Sequence, residues 1–60
     1  MSGPARLTQE ELAARWRISP RTLERWRAEG RSPAWIRLPG RVIYREEDVS
    51  AFERTHLQGD

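Results

Sequence analysis

The sequence contains no cysteine and no lysine. Without cysteine there is no disulfide framework, no thiolate metal site and no thiol nucleophile, in keeping with a reducing cytoplasm. His56 is the one histidine, and it has no second ligand candidate beside it, which argues against a metal site or a general base. No stretch approaches the ~20 apolar residues that a membrane span requires. Met1 leads into Ser-Gly-Pro-Ala-Arg with no apolar run behind it, which argues against a secretory signal. Neither a nucleophile–base pair nor a carboxylate cluster with metal spacing stands out, and a chain this short leaves little room for a pocket. The expectation is a cytoplasmic protein that is not an enzyme, holds no cofactor and meets no membrane.

What is present is arginine. The formal charge is only +2, yet all eleven basic residues are arginine. Arginine offers a planar fork suited to phosphate and to guanine edges, although GC-rich codons produce the same bias. The distribution says more. From Arg15 to Arg45 arginines face only two acids, Glu24 and Glu29, while carboxylates gather around Glu10–Glu11 and at Glu46–Asp48. The middle of the chain is a basic band, and the acidic clusters sit where helices would start.

Sixty residues allow one small domain that buries only about 60% of its unfolded surface. Residues 1–6 read as a disordered start, 7–57 as the domain and 58–60 as a tail. Thr8 and Glu11 form a capping box, with Leu7 and Leu12 spaced as a hydrophobic staple. A helix from Gln9 to about Trp16 follows, with Leu12, Ala13 and Trp16 inward. Arg17 and Ile18 make the turn. Ser19 as N-cap and Pro20 at the first helical position open a second helix that Gly30 closes. Two short helices joined in this way form a helix-turn-helix. Trp35–Leu38 and Arg41–Arg45 read as strands around Pro39-Gly40, a turn that suits type II. Alternation places Ile36 and Leu38 with Val42 and Tyr44, and Trp35, Arg37, Arg41, Ile43 and Arg45 opposite. A third helix opens at Glu46, with Val49, Phe52 and His56-Leu57 facing inward. The fold class is mainly α with a β-hairpin wing: helix, helix, hairpin, helix.

The second helix carries the functional reading. Leu23 and Trp26 share one face, whereas Arg21 and Arg25 occupy another, with Thr22 and Glu24 beside them. A short helix that is apolar on one side and arginine-rich near its start on the other suits the DNA major groove. The bland readings are a solvated face, or an Arg25–Glu29 pair that supports the helix by a few tenths of a kcal/mol. Thr22 is either a groove contact or part of the cap around Ser19. Trp16 and Trp26 read as core rather than as base-stacking platforms. Trp35 with Ile43 forms either an exposed patch for a neighbouring protomer or packing under the third helix.

Leu7-Thr8-Gln9-Glu10-Glu11-Leu12-Ala13, Ile18-Ser19-Pro20-Arg21-Thr22-Leu23, Gly30…Pro33, Ile36-Arg37-Leu38…Gly40-Arg41-Val42…Tyr44 and Asp48-Val49…Phe52 occur in that order. The set resembles the small winged helix-turn-helix domain of the excisionase and AlpA-like group, which is related to the DNA-binding head of MerR regulators. The resemblance implies a second helix in the major groove and a hairpin wing along the backbone or in the minor groove. It places Pro20, Arg21, Thr22, Glu24 and Arg25 toward the groove, Arg37 and Arg41 in the wing contacts, and Ser19 by the backbone. It implies double-stranded DNA as the partner, an integrase of the tyrosine recombinase type beside it, and a directionality factor or a small transcription regulator as the role. Two departures stand out. Arg17 occupies the turn position where the family usually has glycine, and neither a long dimerisation helix nor an effector domain of the MerR kind is present.

One domain this small reads only a few base pairs, so head-to-tail loading of several copies on DNA is expected. The rival reading is a protein–protein adaptor that uses Trp35 and Ile43 and never touches DNA.

Overall fold

The computed structural model describes residues 5–56. The elements are β1 (Arg6–Thr8), α1 (Gln9–Trp16), α2 (Pro20–Ala28), β2 (Ile36–Leu38), β3 (Arg41–Arg45) and α3 (Glu46–Thr55). The fold is a small winged helix-turn-helix: three helices on a three-stranded antiparallel sheet of order β1-β3-β2.

Local chemistry sets each helix end. The Thr8 N–H donates to Glu11 Oε1 at 2.8 Å, and the Glu11 N–H donates to Thr8 Oγ1 at 3.1 Å. These reciprocal bonds satisfy two donors that the first turn would otherwise leave orphaned. At the far end of α1 the chain reverses through a Schellman motif, in which Ile18 N–H donates to Ala13 O and Arg17 N–H to Ala14 O. That geometry requires a left-handed residue, and Arg17 supplies it with φ 59° and ψ 44°. A side chain in this conformation costs about 1 kcal/mol relative to glycine. The turn therefore closes on an arginine under mild strain. Ser19 caps α2, its Oγ accepting from Thr22 N–H at 3.2 Å, with Pro20 at the first helical position. A second Schellman motif, through Gly30 at φ 72°, ends α2.

The core consists of Leu7, Leu12, Ala13, Leu23, Tyr44 and Val49, with Trp16, Ile18, Trp26, Trp35 and Val42 packed around it. Leu7 and Leu12 belong to the same buried cluster, in keeping with the staple spacing. Leu23 and Val49 are completely enclosed, so α2 and α3 each hold one fully sequestered aliphatic anchor. Burying such a side chain contributes about 1.5–3 kcal/mol. The two indoles are half-buried rather than exposed platforms, with Trp16 against both Trp26 and Phe52 at centroid distances of 6.2 and 5.4 Å.

Four expectations are corrected. The first strand, β1, starts at Arg6, which pairs with Arg45 instead of belonging to a disordered start. Of that start, residues 1–4 lie outside the described residues, as do Leu57 and the tail 58–60. Second, the hairpin faces are shifted. Leu38 pairs with Arg41 and Ile36 with Ile43, because a two-residue turn sets the residues flanking it opposite each other, on one face. Leu38 therefore points with Ile43 and not with Tyr44, and at 43% exposure it is the exposed large apolar residue of the wing. Third, Trp35 and Ile43 do not share a face. Ile43 is buried at 7% exposure between Thr8 and Ile36, while Trp35 packs against the core. The patch that would join them does not form. His56, expected inward, is exposed and stacks on Phe52 at 4.1 Å.

Candidate nucleic-acid interface

The second helix, α2, presents its polar side by simple periodicity. Leu23 is enclosed and Trp26 half-buried, which turns Arg21, Glu24, Arg25 and Ala28 outward. Residues three and four apart line one face of a helix, so these four make a single stripe. Pro20 and Thr22 are half-buried at its start. Thr22 is engaged locally, its hydroxyl 3.0 Å from that of Ser19, which gives it a capping role. The Arg25–Glu29 pair does not form. Glu29 lies instead 3.7 Å from Arg31.

The wing stands beside this stripe. Gly40, with φ 80°, provides the left-handed third position that a type II turn requires. Arg41, just past the turn, is exposed. A polar cleft of about 480 Å³ separates wing from helix, lined by Gln9 and Glu10 of α1, Glu24 and Arg27 of α2, and Gly40 and Arg41 of the hairpin. Arg41 and Glu24 thus border the same space. Arg37 is placed differently, with its guanidinium 5.1 Å from the centre of the Trp35 ring.

Beneath the cleft runs a hydrogen-bond chain that the sequence did not reveal. Arg27 Nη1 donates to the buried Tyr44 Oη at 2.7 Å and to Gln9 Oε1 at 2.6 Å. Gln9 Nε2 in turn donates to Glu24 Oε2 at 3.2 Å. Arg27 also lies 5.4 Å from the centre of the Trp35 ring, so Trp35 carries guanidiniums of both helix and wing. Arg27 falls one residue after Trp26 at the edge of the inward face, a position that signals half-burial but not its partners.

Arg15, Arg31 and Arg45, by contrast, are tied to acids. Arg15 bridges Glu46 at 2.8 Å and Glu53 at 2.9 Å, and Trp16 Nε1 donates to the same Glu53. The Arg15 bond, reinforced by the Ser50 hydroxyl, holds the Glu46 carboxyl below the ordinary carboxylate range. Arg15 does the same for Glu53, with the Trp16 indole second. Both carboxylates raise the Arg15 guanidinium in return, first through the hydrogen bond to Glu46 and then through that to Glu53. Arg45 is raised chiefly by its hydrogen bond to Asp48 at 2.7 Å, then by the charges of Asp48 and Glu47. The acids at the start of α3 are thereby explained as helix-terminus charges and ion-pair partners.

Among the described residues, Arg21, Arg25, Arg37 and Arg41 take part in no salt bridge. No group of three or more histidines or carboxylates is disposed to hold a metal among them, and no helix is long and apolar enough to cross a membrane.

No curated protein and no solved structure is a significant match to the chain. The sequence model of the helix-turn-helix domain family matches residues 6–56, which takes in every element from β1 to α3. The chain belongs to the helix-turn-helix domain family and is a DNA-binding protein of that fold.

Proposed function

We propose that the chain reads double-stranded DNA by sequence, with α2 in the major groove and the β2–β3 wing against the backbone or in the minor groove. One observation carries this reading: among the described residues Arg21 and Arg25 of the α2 stripe and Arg37 and Arg41 beside the wing turn take part in no salt bridge, whereas Arg15 and Arg45 are neutralised within the fold. An arginine without an intramolecular counter-ion is free to displace the cations condensed on phosphate, which is the main source of affinity for DNA. Within this reading Arg21 and Arg25 contact base edges, Pro20 and Thr22 shape the helix start, Ser19 lies by the backbone, and Arg37 and Arg41 hold the wing to the minor-groove side.

The role that fits best is a recombination directionality factor of the excisionase kind. Two contact points on either side of a polar cleft grip DNA at two grooves, and such a grip favours a bent duplex. Several copies loading head to tail, next to an integrase, would extend that bend. A promoter-bound regulator uses the same contacts without needing the curvature. The adaptor reading draws less support, since Ile43 is buried at 7% exposure and Trp35 packs against the core.

A gel-shift series with the bound site permuted along fragments of the DNA flanking the gene tests this. Mobility that varies with site position supports a bending factor. Binding without such variation supports a regulator, and no binding at low salt removes both.

A further inference from the structure

Glu24 is out of place in an arginine-rich helix. It is exposed on the same stripe as Arg21 and Arg25, and among the described residues no arginine pairs with it. A carboxylate only accepts hydrogen bonds, and it repels phosphate. On a helix that lies in the major groove, its suitable partner is an amino group on a base edge, above all the cytosine N4 amine.

The structure does not leave this carboxylate free to wander. Gln9 Nε2 donates to it, and the orientation of the Gln9 amide is itself dictated. Arg27 has only donors, so the Gln9 oxygen must face it, at 2.6 Å. The amide nitrogen then has to face Glu24. Arg27 is fixed in turn by Tyr44 Oη, from a side chain with no exposed surface, and by the Trp35 ring. From Arg27 the hydrogen bonds run both ways, donated back to Tyr44 on the sheet and onward through Gln9 to Glu24 on the groove face.

We propose that Glu24 is the sequence-discriminating acceptor of this interface, reading a cytosine amino group, and that Gln9 and Arg27 are positioning residues that hold its carboxylate in place. This inference rests on the proposed placement of α2 in the major groove. The relay preorganises the acceptor before DNA arrives, so that specificity at one base is set from strand β3 through helix α1. Nη1 of Arg27 is engaged by Tyr44 and Gln9, and the guanidinium lies against the Trp35 ring, so Arg27 serves the relay rather than a phosphate.

The test is selection from a library of randomised duplexes with the full 60-residue chain, reading base frequencies column by column. The wild type is expected to favour cytosine about tenfold in one column. Glu24→Gln shifts that column to adenine, because a carboxamide pairs with the adenine N6 and N7 edge. Gln9→Ala lowers the cytosine preference to about threefold or less and leaves the columns read by arginine unchanged. Glu24 is exposed, so Glu24→Gln decides the reading role even if the Gln9 variant is poorly folded. Columns unchanged in Glu24→Gln overturn the inference and leave DNA reading intact, and a Gln9→Ala profile identical to wild type overturns the relay. A wild type that selects no sequence overturns the proposed function itself.

Discussion

Two sets of arginines divide this small protein. Arg15 and Arg45 lie along the start of α3, each within 2.9 Å of carboxylate oxygens, and their charge is cancelled where it stands. Arg21, Arg25, Arg37 and Arg41 lie on α2 and the wing, and no carboxylate lies within bridging distance among the described residues. The residue type is the same and the chemistry is opposite. A net charge of only +2 conceals a polarised molecule, and the polarity follows from where the acids fall along the chain. Three acids open α3 and two stand in the first turn of α1, where helix dipoles favour them. The first turn of α2 contains none, and so its arginines remain available.

The widest separation is expected from Arg25→Ala and Arg21→Ala. Each should weaken specific duplex binding by about 1–3 kcal/mol, roughly tenfold or more, with little change in melting temperature. Arg15→Ala should do the reverse, lowering the melting temperature while DNA affinity stays near wild type. If Arg15→Ala weakens DNA binding as much as Arg25→Ala at a temperature where both are folded, the division fails.

Acid sharpens the same contrast. Glu46 and Glu53 have carboxyl pKa values lowered in the folded state by Arg15. Depressed carboxylates contribute stability above their unfolded value of about 4.3, and lose it as pH falls through the folded values. Thermal melts between pH 7 and pH 3 should therefore show a steep loss below about pH 4.3. In Arg15→Gln that fall should be shallower, because the two carboxylates titrate nearer their unfolded values. Equal steepness in both proteins would show that Arg15 contributes no linkage.

Arg41→Ala should weaken binding to unrelated sequences as much as to the preferred one, and reduce the slope of log affinity against log salt by about 1. A loss confined to one base position would place Arg41 among the base readers instead. The smallest effect is a gain. Arg17→Gly relieves a left-handed residue at φ 59° and should stabilise the fold by up to about 1 kcal/mol, measured by urea unfolding. Because Arg17 is exposed at the turn between α1 and α2, the same variant shows whether its charge adds to DNA binding. Falling affinity in a more stable protein would place Arg17 among the DNA contacts.

What the sequence made legible was local. Thr8 with Glu11, Ser19 with Pro20, and Pro39 with Gly40 each act across no more than four positions, and each set the boundary expected of it. The failures were non-local or matters of parity. The three-residue strand β1 gains its partner only when β3 arrives from the far side of two helices, and a three-residue segment is too short to reveal alternation. The wing faces differ from simple alternation because the pairing of Leu38 with Arg41 comes from the turn, which alternation along a single strand does not encode. The same parity sets Ile43 with Ile36 rather than with Trp35. The outward stripe of α2 could be read from Leu23 and Trp26, since one apolar face defines the other. The relay from Tyr44 through Arg27 and Gln9 to Glu24 could not, because it joins residues from β3, α2 and α1 that no spacing rule connects.

The most direct test is a duplex titration at about 50 and 200 mM salt, with random DNA and with DNA flanking the gene, for the wild type and for Arg25→Ala and Arg15→Ala. Unpaired arginines on α2 predict footprinted binding to the flanking DNA that survives the higher salt in the wild type and in Arg15→Ala, and is lost in Arg25→Ala. Binding that is equal for all three proteins, or absent from both duplexes at low salt, would contradict the assignment of the α2 arginines to DNA.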